Sequence, residues 1–132
     1  METPRPEAKL YLAKAKQFST EATAAMKGSR HDAATLNAVH AAISATDAVC
    51  VALAGRRSAD PDHQRAADLL QEIGGKSKDV INSVKQVRML LAKKNVVEYE
   101  SRQASAKEAS DAVKRADRFV EWASQTVEDA HL

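Results

Sequence analysis

No stretch of this chain alternates apolar and polar residues as a half-buried strand does, and every periodicity that survives counting is close to 3.6 residues. That restricts the fold to packed helices. Composition agrees: 26 of the 132 residues are alanine, aromatic residues are only 4%, and glycine and proline together number seven. Small side chains at such density favour long helices with closely approaching axes. The expected fold class is all-α, an antiparallel bundle of about five helices forming one domain over residues 1–132, since a chain of this length needs a single core.

Local signals place the helices. The first begins near Pro6 and ends before Gly28, a candidate left-handed cap; its apolar positions include Leu10, Tyr11, Phe18, Ala22, Ala25 and Met26. Ser29 with Asp32 has the spacing of a capping box for the second helix, which Gly55 closes. Asp60 and Pro61 offer an N-cap and first-turn proline for a short third helix ending near Ile73 at Gly74 and Gly75. A fourth runs from about Ser77 to Tyr99 with Val80, Val84, Val87 and Leu91 on one face. The fifth opens on a second capping box, Ser105 and Glu108, and aligns Val113, Ala116, Val120, Ala123 and Val127.

Several partners are excluded or left open by charge. A net charge of +2 is too small for the bulk field to dictate nucleic-acid binding. A local cluster on the fourth helix, Lys85, Arg88, Lys93 and Lys94, has the charge to meet phosphates, although an ordinary solvated helix face is the preferred reading. Cys50 is the only cysteine, which rules out an intrachain disulfide and fits a reducing compartment. The polar start, Met1 to Leu10, is unlike a signal peptide, and Ala33 to Ala54 carries Asn37, His40, Ser44 and Asp47, a poor composition for a membrane span. The expected location is the cytoplasm, with no membrane contact.

Those four polar residues are the most informative feature of the second helix. Spacings of three, four and three stack them along one line. On the fourth helix Arg88, Asn95 and Tyr99 form another line. If the lines face each other, Asp47 pairs with Arg88, and His40 hydrogen-bonds Asn95 or Tyr99; a satisfied polar seam and a functional groove both fit that pattern. Asp47 lies two turns from His40, about 10 Å along the axis, too far to orient its imidazole. His31, His40, His63 and His131 show no metal-binding spacing, so no metal and no cofactor are expected. A phosphate loop, a serine elbow and a paired aromatic platform are also missing.

Three short segments, Asn37-Ala-Val-His40-Ala-Ala, Asp62-His63 and Lys94-Asn-Val-Val-Glu-Tyr99, make the chain resemble the HEPN superfamily, the higher eukaryotes and prokaryotes nucleotide-binding domain, from about Ala8 to Ala123. The resemblance implies a helical bundle that commonly dimerises. It also implies, for many members, metal-independent ribonuclease activity in toxin-antitoxin and defence systems through a late-helix Arg-x₄₋₆-His motif. Here the aligned positions are Lys94, Asn95 and Tyr99, so the histidine is gone. Another branch, with Arg-Asn followed by an acidic residue and Tyr, is closer and is not generally held to cleave RNA. Imidazole suits proton transfer near pH 7, whereas tyrosine with an ordinary pKa near 10 does not. The spacing Arg57-x₅-His63 fits the motif but straddles a proline loop, and is read as accidental.

The expected function is therefore a nucleotide-, RNA- or protein-binding or regulatory module with a groove of Asn37, His40, Ser44, Asp47, Arg88, Lys94, Asn95 and Tyr99. The alternatives are a ribonuclease using His40 with Arg88 or Lys94, and a purely structural subunit. A homodimer is expected both from the resemblance and from the alanine-rich faces on two sides of the second helix.

Overall fold

The computed structural model describes residues 1–132 as five helices: α1 (Ala8–Lys27), α2 (His31–Ala54), α3 (Gln64–Gly74), α4 (Lys78–Tyr99) and α5 (Ala106–Asp129), with a 3-10 turn at Arg5–Glu7. Hydrogen bonds between distant segments fix their directions. Thr3 N–H donates to Gly55 O at 2.8 Å and Arg5 Nε to Ala52 O at 2.9 Å, which ties the start of α1 to the end of α2. Lys9 Nζ reaches Leu132 O at 3.0 Å, and Ala104 N–H donates to Asp32 Oδ1 at 2.8 Å. Hence α1 runs antiparallel to both α2 and α5. Arg115 Nη1 bonds Gln86 Oε1 at 2.6 Å, joining the middles of α4 and α5.

The core sits around α2, which touches all four other helices. Its residues Ala34, Ala38, Ala41, Ala42, Ala45 and Ala48 have no exposed surface, so α1 and α5 approach its backbone closely. Thr35 and Thr46 are buried too, and each hydroxyl is satisfied by the carbonyl four residues earlier, His31 and Ala42. By length and composition α2 would pass for a membrane span; 61% of that stretch is buried inside the bundle, which accounts for its apolar character. The alanine faces are covered within one chain, so they are not the surplus surface that would call for a second copy.

Four local expectations change. Gly28 is not left-handed (φ −88°); Ser29 takes that role with φ 57°, followed by Arg30 as N-cap, so no capping box forms and the Asp32 carboxylate serves the α5 start instead. Gly55 does close α2 in the left-handed region, φ 64°. Helix α3 starts at Gln64 because Asp60 and Asp62 each accept a backbone N–H two residues on, at 2.8 and 3.0 Å, turning the chain before the helix begins. Leu10 is 64% exposed; Leu12, two residues on, is the buried one. The α5 capping box is present, with both bonds between Ser105 and Glu108 made.

Candidate functional site

The line Asn37, His40, Ser44 and Asp47 forms a half-buried strip on α2, as their spacing requires. Asn37 spends its amide on Ala33 O at 2.9 Å. His40 leans on Phe18 of α1, ring centroids 5.4 Å apart. Burial, then the charges of Lys94 and His63, hold its imidazole below the usual histidine range, against the opposing pull of Glu98. The charges that reach His40 thus come from Lys94 and Glu98 of α4, which pair with each other at 3.3 Å, and from His63 in the loop before α3.

Asp47, two turns on, lines a cleft of about 280 Å³ with Ile43, Arg57, Ser58, Asp60 and His63. Burial pushes its carboxyl up to about 6, against Arg57 and Lys14. The Arg57 guanidinium stacks 5.5 Å from the Tyr11 ring centroid, and its Nε is buried without a hydrogen-bond partner. Neighbouring Cys50 is inert: burial, then Asp47, pushes its thiol up to about 12. No three His, Cys, Asp or Glu side chains converge to share a metal ion.

The structure separates the expected interhelical pairs. Arg88 does not meet Asp47; it turns to α3, donating to Asp68 Oδ1 at 2.6 Å, Gln64 Oε1 at 2.8 Å and Gln71 Oε1 at 3.4 Å. Tyr99 is 77% exposed and Asn95 is exposed, so neither bonds His40. The reason lies in helical phase. Positions 80, 84, 87, 91, 94 and 98 share one stripe, and its first four members are buried, so Lys94 and Glu98 extend the core-facing side toward α2. Arg88 is about 120° away around the axis from Lys94. Lys94, unlike Arg88, thus lies on the core-facing side of α4. Glu98, Lys14, Phe18 and the Arg57 and His63 pair were not among the expected site residues; the stripe through position 94 was the signal for Glu98, and Arg57 and His63 carried theirs in a spacing dismissed as accidental.

The model of the HEPN domain family matches residues 8–127. The chain belongs to the HEPN domain family. No curated protein matches it. In this HEPN domain Asp47, Arg57 and His63 line one cleft beside α2, and His40 lies two turns from Asp47 on the same half-buried strip.

The changed position of Arg88 changes the expected outcome of its removal. Its side chain is 35% exposed and that of Asp68 is 44% exposed, so the pair is screened by water. Arg88→Ala should cost no more than about 1 kcal/mol in a thermal melt, against about 3 to 5 kcal/mol for a broken buried pair.

Proposed function

We propose that this HEPN domain is a binding or regulatory module, not an RNA-cleaving enzyme, and that the α2 groove takes a phosphate-bearing ligand, RNA or a nucleotide. The observation that supports the reading is that the charges of Lys94 and His63 both reach the half-buried His40, while His63 and Arg57 line the cleft that holds Asp47. Cations and imidazoles set against an aromatic ring suit a phosphate beside a base. Cleavage asks for more, a base for the 2′-hydroxyl and an acid for the leaving oxygen. His40, neutral at pH 7, can accept a proton, but Tyr99 projects into solvent and Arg88 is held on α3. A cytoplasmic role beside a toxin-antitoxin or defence partner is the setting we propose for such a module.

Fluorescence anisotropy with a labelled single-stranded RNA tests the binding. Lys94→Ala and His40→Ala should each weaken it at least about fivefold, with affinity falling as salt rises. Lys107→Ala, on the exposed side of α5, should leave it unchanged. Equal binding by all four proteins, or none at all, would remove the groove from consideration. A ribonuclease remains the second reading because two imidazoles, His40 and His63, lie within electrostatic reach of each other.

A further inference from the structure

A second surface lies on the far side of α4. Between α3 and α4 runs an open groove of about 490 Å³ whose floor and walls are Ile81, Val84, Met89 and Ala92, rimmed by Lys85 and Arg88. Ile81 is 53% exposed and Met89 38%, although both belong to a helix whose other apolar side is packed into the core. The distance from Ile81 to Ala92 along the axis is about 16 Å, three turns of a partner helix. Methionine adapts its shape to such partners.

The rim charges say what kind of partner fits. Arg88 has taken the nearest carboxylate, Asp68, at 2.6 Å, and Arg65 shares that carboxylate at 3.2 Å. Lys85 has no ion-pair partner. On the α5 side, Asp111 is likewise taken, by Arg115 at 2.8 Å. Lys85 thus borders the apolar strip unpaired, while Arg88 shares its charge with Asp68. A second copy placed there by a twofold axis would bring the basic middle of α4, Lys85 to Lys93, against itself. A nucleic acid would set its phosphates over an apolar floor.

We propose that the α3/α4 groove docks an amphipathic helix of another protein, its apolar stripe flanked by carboxylates. Anchors at helical spacing fill the strip between Ile81 and Ala92, and a flanking acid meets the unpaired Lys85. This site is separate from the His40 groove, so each can fail without the other.

The test uses the full chain and two labelled helical peptides of about 18 residues, each with leucine at i, i+3, i+4 and i+7, one flanked by glutamate and the other by lysine. The glutamate peptide should bind at least about tenfold more tightly at low salt. Ile81→Glu and Met89→Glu should each weaken it at least about tenfold without moving the melting temperature or RNA binding, and Lys85→Glu should narrow the charge preference. Equal affinity for the two peptides, or no binding, overturns the proposal. So does light scattering that shows a dimer split by Met89→Glu, which makes a second copy the occupant. Loss of RNA binding in Met89→Glu with peptide binding intact also overturns it.

Discussion

Ala45→Leu will destabilise the fold by about 1 to 3 kcal/mol, with the unfolding midpoint in urea falling and its slope unchanged. Ala45 has no exposed surface and stands between fully buried Ala41, Ala42, Ala48 and Val49 on the helix that touches every other one. A leucine there adds three heavy atoms where no void receives them. The surrounding alanines cannot yield by changing rotamer, so α1 or α5 must move outward. The same substitution at Ala54, an exposed position at the end of α2, should be nearly neutral. Equal stability of the two variants would show that the alanine seam is not close-packed.

Asp47→Asn will stabilise the protein above pH 6 and lose that advantage in acid. The native carboxyl titrates at about 6 against an ordinary 3.8, chiefly because it is buried. Between those values the folded chain holds the proton more tightly than the unfolded chain, so wild-type stability falls as pH rises through the window. The difference of about 2 in pKa is worth at most about 3 kcal/mol above pH 6, and partial exposure reduces it. Urea unfolding at pH 7.5 should find the Asn variant about 1 to 2 kcal/mol more stable, and at pH 3.5 the two proteins should coincide. A pH-independent difference, or a destabilised Asn variant at pH 7.5, would mean that Arg57 and Lys14 fully compensate the charge. His40 works in the opposite sense: its lowered pKa makes stability fall as pH drops below 6.5, because the unfolded chain then binds the proton more readily. An acid kept in a cleft at a cost to folding is what a functional site looks like.

Most of the bundle was legible because its signals are local. The Ser105 and Glu108 capping box, the left-handed Gly55 and the Val80 to Leu91 stripe each depend on residues within a few turns. The α3 start was misplaced because Asp60 and Asp62 make turns as readily as they cap helices, and only the three-dimensional path decides between these. Grouping Arg88, Asn95 and Tyr99 on one line was correct as helical geometry. Which neighbour covers that line is set by packing, and α3 takes Arg88 before α2 can. The half-buried strip of Asn37, His40, Ser44 and Asp47 came from one helix, and its alignment was visible in their spacing. Lys94 was also named, and Glu98 follows it on the same α4 stripe; Arg57 and His63 depend on how the loop before α3 lies against α2, which no periodicity encodes.

The central proposal is that this HEPN domain binds a phosphate-bearing ligand, RNA or a nucleotide, and does not cut RNA. A time course of one labelled single-stranded RNA, with wild-type protein in excess and with His40→Ala and His63→Ala alongside, tests it most directly. The account predicts a retarded complex whose RNA is intact after hours at pH 7.5, and weaker retention with His40→Ala. Shortened RNA in the wild-type lane that stays full length with either histidine variant would contradict it, and would make the groove the active site of a ribonuclease.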